Sequence, residues 1–146
     1  MKHVIYASFA LCLALSGCAD RTQDNRLIII SPITGEKLEV APQDLDPMKW
    51  EDAKKACANL GNGWRLPTKD ELEAMYKELH LKGKGNFNTD PNSRQLLFDY
   101  GSCYWSGTED GYGSAWYFEF GVGEAYYNFY ASKDYTYYVR AVRALD

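Results

Sequence analysis

The sequence predicts an α+β fold in which two helices precede an antiparallel meander of strands. Two segments before residue 80 space their apolar residues three or four positions apart, and each has helix start and stop signals. From Tyr104 onward the apolar spacing changes to two, which is typical of strands. A group of helices followed by a group of strands indicates an α+β domain.

The first helix is predicted to begin at Asp46, as the N-cap, with Pro47 in the first helical position. Gly61 is expected to end it, because glycine readily adopts the left-handed conformation that follows a helix. The residues spaced to form its buried face are Trp50, Ala53, Cys57 and Leu60.

The second helix has a capping box at its start. The Thr68 hydroxyl can accept a hydrogen bond from the Glu71 amide while the Glu71 carboxylate reaches back to the Thr68 amide. Pro67 restricts Leu66 to an extended conformation, so the chain enters this helix at a fixed angle. The predicted buried stripe is Leu72, Met75, Tyr76 and Leu79.

Strands are predicted on both sides of the helices. Residues 27–30 are a β-branched run, and residues 37–41 form a second short strand after a turn. Residues 90–101 are expected to contain a third, short helix, and residues 136–143 one final strand. Within the meander, Trp116, Phe118 and Phe120 alternate with Ala115, Tyr117 and Glu119.

The N-terminal residues have the pattern of a bacterial lipoprotein signal. A basic start precedes an apolar run over residues 4–15, which is too short to span a bilayer. Small residues then precede Cys18, which would be acylated, for example with palmitate, and become the new N-terminus. An ordinary signal peptide with a chance cysteine is the alternative.

We therefore expect a signal peptide at residues 1–17, a lipidated tether at 18–26 and one domain at 27–146. The lipid would hold the domain at the cell envelope, on the outer membrane or the cell surface. The periplasmic face of the membrane is a further alternative location. The formal net charge of −4 disfavours nucleic acid or anionic lipid as a partner bound through charge.

Two cysteines, Cys57 and Cys103, remain in the predicted domain. Disulfides persist in the compartment that a secretory signal implies. A Cys57–Cys103 bridge and two buried free thiols both stay open.

Three stretches of the sequence resemble a known family. They are MKWEDAKKACANLGNGWRLPTKDEL, YWSGTEDGYGSAWYFEF and YYVRAVRAL, within about residues 48–145. They are similar to the bacterial C-type-lectin-like domains known as the Lcl C-terminal domain and the Fibrobacter succinogenes major paralogous domain. The resemblance implies a C-type-lectin-like fold, with two helices packed on a twisted antiparallel sheet.

The resemblance also implies structural roles for the segment between the helices. Trp64 and Leu66 would be buried against the meander, and Arg65 would bind backbone carbonyls or an acidic group. Ala141 departs from the family, whose members often carry a cysteine between the two Val-Arg pairs, so a bridge from that position is absent here.

Nothing in the residues predicts catalysis, a cofactor or a metal. His80 is the one histidine outside the predicted signal peptide, and neither a phosphate-binding loop nor a Gly-x-Ser-x-Gly motif occurs. The fold is shared with formylglycine-generating enzymes, which use a cysteine pair in the C-terminal part, where this chain has only Cys103. The calcium motifs of sugar-binding C-type lectins (Glu-Pro-Asn, Gln-Pro-Asp and Trp-Asn-Asp) are also absent.

The clearest compositional signal is aromatic. Most of the 12 tyrosines lie in residues 98–138, interleaved with Gly, Ser, Asn and Asp. If the phenylalanines of the meander point inward, alternation sends the neighbouring tyrosines outward. Tyrosine among small polar residues suits a binding surface, since it offers rigid contact area and a hydroxyl at small entropic cost. The candidate contact residues are Glu109, Asp110, Tyr112, Tyr117, Tyr126, Asn128 and Tyr130.

We therefore expect a lipid-anchored, non-catalytic module of the cell envelope that binds glycan or protein surfaces. The alternative is a structural envelope or surface component without a discrete ligand site, and a weaker one is an enzyme of the formylglycine-generating type. Exposure of the tyrosine face favours binding, and its occlusion favours the structural role.

Overall fold

A computed structural model of the chain describes residues 25–89, 102–121 and 129–145, with the backbone only at 129 and 130. The predicted signal peptide, Cys18, the short helix at 90–101, Tyr126, Asn128 and the Tyr130 side chain lie outside the described residues. Within the described ranges the fold is α+β, as predicted, and is consistent with a C-type-lectin-like arrangement.

Two helices and eight strands make up the described part. The helices are α1 (Trp50–Asn59) and α2 (Lys69–Glu78), and a short 3₁₀ turn follows α2 at His80–Lys82. The strands are β1 (Leu27–Ile30), β2 (Lys37–Val40), β3 (Leu45–Met48), β4 (Cys103–Glu109), β5 (Ser114–Glu119), β6 (Phe129–Ser132), β7 (Tyr137–Val139) and β8 (Val142–Ala144).

These strands form two sheets. One has the order β1-β2-β8 and the other the order β3-β7-β4-β5-β6. Neighbouring strands are antiparallel except β4 and β7, which run parallel. The larger sheet is therefore not a simple meander, because β7 comes from the C-terminal part of the chain and inserts between β3 and β4.

Both faces of the larger sheet carry a hydrophobic core. On one face Tyr104 and Phe118 pack with the buried stripe of α2, and on the other Trp105 and Ala115 pack with the buried residues of α1. The alternation along the strands is as expected. The face opposite the phenylalanines, however, bears a second core where an open tyrosine face was expected.

The predicted start of α1 is wrong. Asp46 and Pro47 belong to β3, an edge strand whose pairing with β7 is irregular between Leu45 and Met48. Proline is tolerated there because an irregular edge strand does not need its missing N–H. The helix begins instead at Trp50, without a side-chain cap.

The buried faces of both helices agree with the predicted spacing, with one exception. Trp50, Ala53 and Cys57 of α1 are buried, and so is the whole predicted stripe of α2. Leu60 is exposed, because it lies beyond the last turn of α1. Gly61 follows with a φ of +71°, which ends the helix as predicted.

The predicted final strand is two strands in two different sheets. Arg140 and Ala141 separate β7 from β8, and the Arg140 side chain is fully buried. Its guanidinium forms an ion pair with Asp44 and donates hydrogen bonds to the carbonyl oxygens of Ala41 (3.0 Å) and Gly85 (2.8 Å). The chain changes sheet where this charged side chain turns inward.

The Asp44 carboxylate also binds a buried tyrosine. The Tyr104 hydroxyl donates to Asp44 at 2.7 Å and accepts from the amide of Asn88 at 2.6 Å. Burial, followed by the hydrogen bond to Asp44, raises the pKa of Tyr104, so the phenol stays neutral. One polar network therefore joins the β2–β3 connection, the loop after α2, β4 and the link between β7 and β8.

The segment between the helices is fixed to β8. Arg65 and Val142 exchange two backbone hydrogen bonds, each 2.9 Å long. The Arg65 guanidinium also binds both carboxylate oxygens of Glu71, at 2.7 and 2.9 Å. Leu66 is buried in the core on the α1 side, as the resemblance implied, whereas Trp64 is only half-buried against the same core.

Glu71 completes the predicted capping box as well. Its carboxylate accepts from the Thr68 amide at 2.8 Å, and its amide donates to the Thr68 hydroxyl at 3.2 Å. Burial alone would raise the pKa of Glu71, but the hydrogen bonds from Arg65 and Thr68 hold it below its usual value. The stability that this carboxylate contributes is present above about pH 4.3 and is lost as the pH falls through the lowered pKa.

Asp44→Ala is expected to destabilise the domain by about 3–5 kcal/mol, because it leaves the buried Arg140 cation without a counter-charge. The measurement is the free energy of unfolding in urea. Asp134→Ala is the matched control, since Asp134 pairs with Lys49 in solvent and an exposed pair contributes less than about 1 kcal/mol. Equal losses in the two variants would contradict the role assigned to Asp44.

Candidate functional site

The β4–β5 hairpin presents Tyr112 at its tip. The Asp110 amide donates to the Ser114 carbonyl at 3.1 Å and closes the turn. Gly111 and Gly113 flank the tyrosine with φ values of +88° and +77°, which glycine adopts without steric strain. Tyr112 is 93% exposed.

The turn between β6 and β7 lies beside this hairpin tip. The Lys133 amide donates to the Gly113 carbonyl at 3.3 Å, and the Lys133 ammonium lies 2.8 Å from a carboxylate oxygen of Glu109. Asp134 and Tyr135 follow in the same turn and are exposed. We call this end of the sheet the tip surface, formed by Glu109, Asp110, Tyr112, Lys133, Asp134 and Tyr135.

A buried tryptophan supports the tip surface. The Trp50 indole N–H donates to the Ser106 carbonyl at 2.8 Å, and the Lys133 ammonium lies 4.1 Å from the centroid of the ring. The Trp50 amide donates to the Lys133 carbonyl at 3.2 Å. Lys49 pairs with Asp134 at 3.1 Å. The β6–β7 turn is thereby attached to the first turn of α1.

The tip surface carries charges of both signs around its aromatic rings. A hydrogen bond from Lys133, together with the positive charges of Lys133 and Lys54, lowers the pKa of Glu109, so this carboxylate is ionised at neutral pH. Lys54 lies 4.2 Å from the Trp50 ring centroid, on the α1 side of the same region. A ligand at the tip would meet an exposed tyrosine flanked by carboxylates and ammonium groups.

The structure brings together three of the predicted contact residues, which are Glu109, Asp110 and Tyr112. Tyr117 lies apart from them, in the middle of β5, where it is half-buried with its ring 4.8 Å from that of Tyr137. Its side chain is thus only partly exposed to a ligand.

Among the remaining candidates, the backbone of Tyr130 lies in β6, where it pairs with Trp116 of β5. The positions of Tyr126, Asn128 and the Tyr130 side chain themselves lie outside the described residues.

The predicted set of contact residues omitted the β6–β7 turn, that is Lys133, Asp134 and Tyr135. The pairing of Ser114 with Ser132 brings that turn beside the hairpin tip. Alternation along one strand does not show which turn lies beside the hairpin tip. The pairing register of β5 with β6 would have shown it.

The described residues include no group of three or more His, Cys, Asp or Glu arranged to hold a metal ion. The His80 ring lies 5.2 Å from that of Tyr76 and 5.5 Å from that of Phe120. Burial lowers the pKa of His80, so the imidazole is neutral at pH 7. In the described ranges its ring contacts are aromatic.

The sequence profile of the Lcl C-terminal domain matches residues 19–143, which include both helices and nearly all of the described strands. The chain belongs to the Lcl C-terminal domain family. A search of curated proteins found no match.

Membership of the Lcl C-terminal domain family indicates a domain associated with the cell envelope. Among the residues that the structure describes, no helix has both the length and the apolar character needed to cross a membrane.

Both cysteines of this Lcl C-terminal domain are free thiols in the structure. Cys57 on α1 and Cys103 at the start of β4 are buried in the same hydrophobic core. Burial raises the pKa of Cys57 to about 11. Burial, together with the charge of Glu119, also raises the pKa of Cys103. Of the two alternatives left open by the sequence, the structure has the free thiols.

We expect both thiols to resist alkylation while the domain is folded. With a pKa of about 11, the thiolate fraction of Cys57 at pH 8 is lower than that of a free cysteine by roughly a hundredfold or more, and burial further limits access. Iodoacetamide labelling followed by peptide mass mapping checks this, with labelling in guanidinium chloride as the control. A disulfide-linked peptide joining Cys57 to Cys103 would contradict it.

Proposed function

We propose that this protein is a lipid-anchored, non-catalytic ligand-binding module of the cell envelope, and that its tip surface contacts a glycan or a protein surface. The observation that carries the proposal is Tyr112, which is 93% exposed between two glycines. A side chain in this position contributes little packing to the fold. Fold stability therefore does not account for an aromatic residue there.

The chemistry of the tip surface supports recognition of polar ligands that have an apolar face. A tyrosine ring can stack on the face of a sugar ring or pack on a protein side chain, and its hydroxyl can donate or accept a hydrogen bond. Glu109 and Asp110 supply acceptors for sugar hydroxyls or backbone amides, while Lys133 supplies a donor. Tyr135, which is 45% exposed, adds a second ring to the same surface.

Attachment through Cys18 would keep the domain close to the membrane. Residues 18–26 reach about 30 Å at most when fully extended. They lead into β1, which belongs to the three-stranded sheet, whereas the tip surface belongs to the five-stranded sheet. This separation favours a tip that stays accessible while the tether is attached.

Tyr112→Ala is expected to abolish binding on a glycan array, or to immobilised envelope proteins, without weakening the fold. Because the side chain is in solvent, the free energy of unfolding should change by less than about 0.5 kcal/mol. Tyr117→Ala is the matched control for the stability measurement. The Tyr117 ring packs on Tyr137, so its removal should lower the free energy of unfolding by more than about 1 kcal/mol.

If Tyr112→Ala binds as well as the wild-type chain does, the ligand contacts a surface other than the tip surface. If the wild-type chain binds no glycan and no envelope protein, the structural alternative becomes the better description.

Cys18→Ser is expected to release the protein from the membrane fraction, because the acyl chains have no other attachment point in the proposed mature chain. Fractionation and intact-mass measurement check this. Cys12→Ser, which alters a cysteine within the predicted signal peptide, should leave both the lipid mass and the membrane fraction unchanged. Retention of Cys18→Ser in the membrane fraction with an unchanged mass would exclude lipidation at this residue.

A further inference from the structure

A groove of about 400 Å³ lies between the turn after β1 and the outer face of α2. Its apolar lining comes from Ile30, Pro32, Ile33 and Ala74. Ile30 and Ile33 are 44% and 63% exposed, so two aliphatic side chains of the groove face solvent. A groove of this kind can accept one apolar side chain from a partner.

The rim of the groove is acidic. It carries three carboxylates, Asp70, Glu73 and Glu78, and one cation, Lys77, all on α2. Glu73 is paired with Lys77, but in the described part of the chain Asp70 and Glu78 have no ion-pair partner. Glu78 also lies in the last turn of α2, where a carboxylate is unfavourable beside the negative end of the helix dipole. The groove therefore presents uncompensated negative charge.

The segment that follows α2 has the complementary chemistry. Leu81 is 62% exposed in the 3₁₀ turn His80–Lys82, and Lys82 and Lys84 beside it are exposed. Neither lysine has a carboxylate partner within the ranges that the structure describes. Gly83, with a φ of +66°, shapes this turn. We call residues 81–84 the cationic knob.

We propose that the cationic knob of one copy of this chain docks into the acidic groove of a second copy. Leu81 would enter between Ile30 and Ile33, and the two lysine ammonium groups would pair with the two uncompensated carboxylates. The groove and the knob adjoin each other along α2 and the turn that follows it. A two-fold axis near the end of α2 therefore lets both reciprocal contacts form at once, as in an isologous dimer.

The first test is sedimentation of the full chain, purified in a non-ionic detergent, over a range of protein and salt concentrations. A dimer is expected at low salt, with a dissociation constant that rises in 1 M salt because the screening length falls from about 10 Å to about 3 Å. Leu81→Asp should weaken the dimer at least tenfold. Leu60→Asp is the matched control, because Leu60 is 44% exposed at the end of α1 and does not line the groove.

The second test reverses the charges. Lys82→Glu with Lys84→Glu, and separately Asp70→Lys with Glu78→Lys, should each give monomers when alone. An equimolar mixture should associate again, because each knob then faces a groove of opposite charge. Glu78→Lys alone is the milder groove variant, since a lysine is favourable in the last turn of a helix. Circular dichroism verifies that each variant is folded.

A wild-type chain that stays monomeric at low salt, variants that associate like the wild type, or a mixture that stays monomeric would each overturn the proposal. An alternating lysine–leucine peptide is the further probe. If it binds a monomeric wild-type chain and fails to bind the groove variant, the groove takes a cationic peptide from another protein and not a second copy.

Discussion

The buried ion pair between Arg140 and Asp44 is the constraint on which the rest of the structure depends. A fully buried guanidinium needs a counter-charge and hydrogen-bond acceptors. Here the Asp44 carboxylate supplies the charge, and the carbonyl oxygens of Ala41 and Gly85 accept hydrogen bonds. Asp44 and Ala41 lie in the β2–β3 connection, whereas Gly85 lies in the loop after α2. Satisfying this one cation therefore fixes how the connections between the elements lie against the two sheets.

The second constraint is the segment between the helices. Arg65 is bound to β8 through its backbone and to Glu71 through its side chain, while Glu71 caps α2. The start of α2 is therefore attached to the last strand of the small sheet. On β8, Arg143 pairs with Glu39 at 2.7 Å and lies 4.7 Å from the Trp64 ring centroid. Trp64 and Arg65, before α2, thus have structural roles that follow from their contacts.

The features that local chemistry determines were predictable from the sequence. The capping box at Thr68 and Glu71 and the buried stripe of α2 depend only on neighbouring residues, and both are present. Asp46 and Pro47 have the composition of a helix start, but pairing with a distant strand takes them into β3. The same limit applies to residues 136–143, where Arg140 turns inward to pair with the distant Asp44 and separates β7 from β8.

The candidate site was predictable in part for the same reason. The Gly-Tyr-Gly sequence of the hairpin is a local signal, and Tyr112 is exposed where glycines allow a tight turn. The neighbouring turn, with Lys133, is brought there by strand register, which composition does not reveal. Tyr117 was expected to face solvent, but α1 and the Tyr137 ring of the neighbouring strand β7 occupy that face of the sheet. Alternation gives the face of a residue but not what covers that face.

The central position of β7 has a consequence for how the chain acquires its fold. This strand, three residues long and close to the C-terminus, lies between β3 and β4 and not at a sheet edge. Strands β3 and β4 consequently lack the strand that lies between them until residues 137–139 have been synthesised. Contacts so distant along the chain form slowly. In a polypeptide that crosses a membrane before folding, such a topology postpones closure of the larger sheet until β7 has crossed.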